Sequence, residues 1–155
     1  MIKEPIDYKE IALQNEALVI NLLRRYGVMS QTQLRKLSGL STSTSSYIIA
    51  RLRSKGYILE TKGLSEGRGP KPVNLEINPY GSFAIGIELK TDSIYGGLFD
   101  FNSKLIETVS LPICDSCPDT LALAVSKATN MLVKTHQFAS DRVLGVAVAI
   151  SGSIK

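Results

Sequence analysis

The stretch from Gly27 to Gly56 carries the start and stop signals of two short helices in close succession, and this constrains the chain more than any other feature. Ser30-Gln31-Thr32-Gln33 matches a capping box, in which the Ser30 hydroxyl accepts from the backbone three residues on and Gln33 reaches back. Leu34 and Leu37 supply the expected buried stripe, and Gly39 stands where a left-handed residue closes a helix. Ser41 then caps a third helix, expected from Thr42 to about Lys55 and ending at Gly56. Upstream, Leu18, Val19, Leu22, Leu23 and Tyr26 recur at three- and four-residue spacing. They predict an amphipathic helix that starts as early as Lys9 and stops at Gly27. Two helices joined through a tight Gly-containing turn make a helix-turn-helix.

Turning the third helix at 100° per residue separates its faces. Ser45, Ile48, Ile49 and Leu52 share the face that must pack inward. Ser43, Tyr47, Ala50 and Ser54 point the other way, with Thr44, Ser46 and Arg51 on the flanks. Small hydroxyls let a helix lie close in a major groove and can reach base edges or phosphates, while arginine adds charge. A solvated surface helix ordinarily mixes Glu with Lys, yet no acid occurs from Ser41 to Leu59. The pattern favours DNA contact, with Tyr47 and the hydroxyls of Ser43, Thr44 and Ser46 expected to choose sequence and Arg51 to add phosphate affinity.

Two strand-like runs follow, Tyr57 to Thr61 and Val73 to Ile77, and between them lies Lys62-Gly63-Leu64-Ser65-Glu66-Gly67-Arg68-Gly69-Pro70-Lys71-Pro72. A helix-turn-helix followed by a β-hairpin is a winged helix. Taken alone, this loop reads as an ordinary Gly/Pro surface turn. On a wing, Gly67-Arg68-Gly69-Pro70 becomes a narrow loop around one arginine, suited to a minor groove, and Arg68 and Lys71 join the candidate DNA-binding residues. Charge agrees with this division. Residues 1–80 hold 12 basic and 7 acidic side chains, whereas residues 81–155 hold 6 and 7. The excess behind the net charge of +4 therefore lies wholly in the first half, the half expected to meet a polyanion.

After Asn78 to Ser82, three more strand-like runs are expected: Phe83 to Leu89, Ser93 to Phe101 and Lys104 to Leu111. Pro118 opens a helix containing Leu121, Leu123, Val125, Ala128, Leu132 and Val133, expected to about Gln137. Val143 to Ile150 is almost uniformly apolar, the pattern of a parallel strand buried on both faces. The order β-β-β-α-β opens a ribonuclease-H-like or actin-like sheet. The expected class is α/β (α+β overall), with a winged helix over 1–78 and the beginning of a larger, truncated domain over 79–155.

Here the residues carry a resemblance. NEALVINLLRRYGVMSQTQLRKLSGLSTSTSSYIIARLRSKGYILE, the wing GRGPKPVNLEINP, FAIGIELKTDSIYGGLFDFNSKLIE and VLGVAVAISGSIK together resemble the N-terminal part of a ROK-family transcriptional regulator (repressors, open reading frames and kinases). The resemblance implies a winged-helix reader fused to a sugar-kinase-like effector domain. It further implies a homodimer or higher homo-oligomer on double-stranded operator DNA, answering to a sugar or sugar phosphate. Kinases of this superfamily carry an Asp-x-Gly-Gly-Thr type loop after the first strand of that domain; here the equivalent Glu88-Leu89-Lys90-Thr91-Asp92-Ser93 has bulky residues where close phosphate approach needs glycine. The family's sugar-site acids and its Cys/His zinc motif would lie beyond Lys155, so no cofactor or metal is expected within these residues.

Other chemistry is sparse. Cys114 and Cys117 have CxxC spacing without a second pair, and His136 is the sole histidine, so a four-ligand zinc site is not expected. No nucleophile, base and acid are offered together. Two cysteines, no secretory leader pattern and no long apolar run place the expected protein in a reducing cytoplasm and off the membrane. The reading is a non-enzymatic repressor of carbohydrate genes. A ROK-type sugar kinase and a DNA-binding module without ligand control are the alternatives.

Overall fold

In the computed structural model, residues 8–63, 73–114, 117–135 and 140–150 are described. The chain divides into two compact units, Met1–Asn78 and Pro79–Lys155. The wing residues 64–72, with Arg68 and Lys71, and His136 lie outside the described residues.

The first unit holds α1 (Tyr8–Tyr26), β1 (Met29–Ser30), α2 (Gln31–Ser38), α3 (Thr42–Ser54), β2 (Ile58–Lys62) and β3 (Val73–Ile77). The capping box forms as its residues require: Gln33 N–H donates to Ser30 Oγ at 3.2 Å, and Ser30 N–H donates to Gln33 Oε1 at 2.9 Å. Gly39 takes φ 68° and closes α2 with its N–H on the Arg35 carbonyl. This conformation costs an L-residue through its Cβ, so glycine is what allows α3 to begin three residues later. Val19, Leu23, Leu34, Ile48, Ile49, Leu52, Ile58 and Leu75 are buried.

Two details differ from the expectation. Leu18, Tyr26 and Leu37 are exposed, because the buried seam of α1 narrows to Glu16, Val19 and Leu23 and that of α2 to Leu34. The hairpin also gains a third strand. Met29 and Ser30 pair with Leu75 and Asn74, giving the antiparallel order β1-β3-β2. Two residues are too short for an alternating pattern to announce a strand; here the pairing satisfies backbone groups just ahead of α2.

The second unit comprises β4 (Phe83–Leu89), β5 (Ser93–Asp100), β6 (Leu105–Pro112), α4 (Pro118–Thr135), a single 3₁₀ turn (Ser140–Arg142) and β7 (Val143–Ile150). The sheet order is β6-β5-β4-β7, antiparallel except for the parallel β4–β7 pair. Alternate residues of β4 (Phe83, Ile85, Ile87 and Leu89) join Ile94, Leu98, Ala128 and Leu132 in one apolar cluster between sheet and α4.

Gly96 makes that approach possible. A Cβ there would lie 2.8 Å from Val109 Cγ1, 3.0 Å from Ile87 Cδ1 and 3.1 Å from Leu132 Cδ1. Gly96→Ala is therefore expected to destabilise this unit by about 1–3 kcal/mol through overpacking, read from the urea midpoint. An unchanged midpoint would show that the cluster has slack.

Leu123 lies on the outer face of α4 and is 72% exposed. The β7 strand pairs in parallel with β4, as its apolar run suggests, and Leu144, Val146, Val148 and Ile150 are exposed, as an unfinished sheet would leave them. It occupies the sheet edge, and α4 packs over β4, β5 and β6. Continuous apolarity reports a strand suited to burial; which layers cover it is a property of the assembled fold.

Candidate nucleic-acid interface

The third helix is placed by its inner face. Ser45, Ile48, Ile49 and Leu52 are all buried, as the periodicity requires, and they leave the opposite residues outward. Ser45 Oγ finds no hydrogen-bond partner among the described residues. At the N-terminus, Ser41 Oγ accepts from Thr44 N–H at 3.2 Å and lies 2.8 Å from Thr44 Oγ1 and 3.1 Å from Ser43 Oγ. Three hydroxyls thus gather in one turn. Arg35 reaches across from α2, donating to Thr42 Oγ1 at 3.2 Å and Thr32 Oγ1 at 3.4 Å. These bonds hold a guanidinium beside the start of α3 using neutral partners, so its charge is not cancelled there.

Further along the helix, Ser43, Ser46, Tyr47, Ala50 and Ser54 are exposed, Thr44 and Arg51 are half-buried, and Tyr47 keeps 55% of its surface in solvent. Ser46 and Ala50 border a shallow depression together with Gln31 and Arg53. Arg53 donates to Glu60 of β2 at 2.8 Å, which binds helix to hairpin and cancels that charge locally. Among the candidates, Ser43, Thr44, Ser46, Tyr47 and Arg51 lie together on α3. Arg68 and Lys71 lie outside the described residues.

Sequence reasoning missed one participant. Glu16 of α1 is buried, and its carboxylate accepts from Arg51 Nε and Lys55 Nζ, each at 2.6 Å. Arg51 also donates to the Tyr47 hydroxyl at 3.1 Å, with its guanidinium carbon 5.6 Å from the ring centroid. The Tyr47 hydroxyl and then the Glu16 carboxylate raise Arg51 above its ordinary value, so the group stays charged. A buried carboxylate is tolerated where its charge is paired and its lone pairs are used, and here two cations supply that. The only sequence signal was Glu16 falling on the same α1 face as Val19 and Leu23.

An interface of this kind can present hydroxyls and one phenol to a groove and set cations on either side for phosphates. Among the described residues, no group of three or more His, Cys, Asp and Glu could hold a metal ion, and no helix is long and apolar enough to cross a membrane.

Comparison with known proteins agrees with this architecture. Residues 15–58 match the winged helix-turn-helix DNA-binding family. The chain is 24% identical over 140 residues to the DNA-binding transcriptional dual regulator NagC of Escherichia coli K12, covering 90% of this chain and 34% of that protein. It is 28% identical over 144 residues to the xylose repressor of Caldicellulosiruptor bescii, covering 91% and 36%. Among solved structures, a ROK-family transcriptional regulator described as a homologue of the E. coli MLC protein superposes with TM-score 0.73 at 22% identity, covering 92% of this chain and 36% of that one. The chain thus spans about a third of the length of these relatives. Helices, hairpin and the opening sheet are matched in one continuous order, and over about nine-tenths of its length the chain shares the fold of a ROK-family transcriptional regulator and is similar in sequence to the N-terminal third of these regulators.

Proposed function

We propose that this chain reads double-stranded operator DNA through α3, as part of a repressor of sugar-metabolism genes released by a sugar or sugar phosphate. The observation that carries the reading is the outward face of α3, where hydroxyls, Tyr47 and Arg51 stand without an acidic residue of the helix itself. Relatives named NagC and xylose repressor support the sugar response. In this reading the protein is a non-enzymatic regulator working in the cytoplasm as a homodimer or higher homo-oligomer, with no cofactor held by these residues.

The sugar-kinase alternative is disfavoured at the β4–β5 turn. There Lys90 stacks over the Tyr95 ring at 4.4 Å and approaches Glu88 at 3.7 Å, and no glycine opens the backbone to a phosphate. The direct test is enrichment of one sequence from a random duplex pool by the chain, with heparin as competitor. Absence of enrichment would refute the reading, and ATP-dependent sugar phosphorylation by the longer protein would favour the kinase.

Within this reading Arg68 is the wing's minor-groove anchor, flanked by Gly67 and Gly69. Arg68→Ala is expected to weaken binding about tenfold on operators with A·T-rich flanks and much less on G·C-rich ones, because a narrow groove concentrates negative potential. Arg68→Lys should recover only part of the loss. Equal losses on both flanks would reduce Arg68 to a general phosphate contact.

A further inference from the structure

The Glu16–Arg51–Tyr47 chain has a consequence for which base the helix can accept. Arginine has five N–H donors and no acceptor, so in the 3.1 Å contact the donor is Arg51 and the acceptor is the Tyr47 oxygen. A neutral phenol has one proton of its own to donate. With the oxygen occupied from the Arg51 side, that proton is directed away from Arg51. Arg51 cannot readily swing clear, because its Nε is held at 2.6 Å by the buried Glu16 carboxylate, which Lys55 fixes from the other side. Tyr47 itself is the one exposed large hydrophobic side chain of α3.

We infer that Glu16 and Arg51 are positioning residues that lock Tyr47 as a hydrogen-bond donor, so that it rejects cytosine at the base it contacts. This rests on the DNA-reading proposal above. The chemistry follows from the major-groove edges. Guanine offers N7 and O6, adenine N7 and thymine O4 as acceptors, whereas cytosine offers only its N4 amino donor. A tyrosine free to turn could accept from cytosine; one already accepting from arginine is committed to giving its proton.

The experiment is selection from a random duplex pool by the 155-residue chain, repeated with Tyr47→Phe, Glu16→Ala and Glu16→Gln, each checked for folding by circular dichroism. Cytosine is expected to be depleted about tenfold at one position of the wild-type site, the scale of a single good base contact. Tyr47→Phe should readmit cytosine there and leave preferences elsewhere intact. Glu16→Ala should do the same although it removes no exposed group, and Glu16→Gln, which keeps one acceptor for Arg51, should restore part of the discrimination. A purely structural role for Glu16 would lower affinity evenly and leave the base profile unmoved.

An unchanged profile in Tyr47→Phe, or a wild-type site that requires cytosine at the affected position, overturns the inference while leaving DNA reading in place. Uniform weakening in Tyr47→Phe assigns the phenol to a phosphate and also overturns it. Failure of the wild-type chain to enrich any sequence overturns the inference together with the proposal beneath it.

Discussion

Binding of the chain to duplex DNA is expected to weaken roughly 150-fold when monovalent salt rises from about 50 to 200 mM. The estimate follows from the charges around α3. Arg53 is cancelled by Glu60, and Arg51 with Lys55 shares the single Glu16 carboxylate, leaving one net positive charge from that trio. Arg35 keeps its charge beside the helix start, and the wing contributes Arg68 and Lys71. About four phosphates neutralised per chain give a slope near −3.6 in log affinity against log salt. Fluorescence anisotropy across a salt series measures it directly. Arg35→Ala should reduce the slope by about one, while Arg53→Ala should change it least. A slope shallower than about −1 would mean that these cations do not face the DNA backbone.

Leu52→Ala is expected to produce the second large effect, a loss of about 2–5 kcal/mol in the first unit. Leu52 is fully buried on the inner face of α3 with Ile48 and Ile49, and truncation leaves a cavity that the packed helices can only partly close. Domains are stable by about 0.05–0.15 kcal/mol per residue, so a unit the size of Met1–Asn78 has only about 4–12 kcal/mol to lose. The expected fall in melting temperature exceeds about 10 °C. Hydrogen exchange at the amides of Ile48 to Leu52 reports this unit apart from the second one. DNA binding should fade on warming with the same midpoint, although no exposed side chain has been altered. Tyr47→Phe, on the same helix but outward, should leave exchange nearly unchanged. Equal effects from the two substitutions would contradict the assignment of faces.

These two expectations draw on different levels of information. The inner face of α3, its Ser41 cap, the capping box at Ser30 and Gln33 and the Gly39 stop could all be read directly from the chain, because each depends on residues within one or two helical turns. The same holds for β3, β4 and α4, whose periodicities placed their bounds closely. The composition of the candidate interface was legible to that extent too: rotation alone puts Ser43 and Tyr47 on the outward face and Thr44, Ser46 and Arg51 on its flanks.

Tertiary structure decided what those residues are connected to. Glu16 precedes Arg51 by 35 positions and Lys55 by 39, and only the docking of α1 on α3 brings a buried carboxylate against two cations. The α3 segment itself carries no acid, yet that pattern cannot reveal an acid delivered from another helix. The two-residue strand Met29–Ser30 exists only because β3 offers it an edge, and the exposure of Leu37 and of Val146, Val148 and Ile150 follows from which neighbours cover each element. Helix caps and periodicity are set by local hydrogen bonding and side-chain direction, so the sequence determined them by itself. Ion pairs, sheet edges and burial are set by which distant surfaces meet, and that was decided only when the chain had folded.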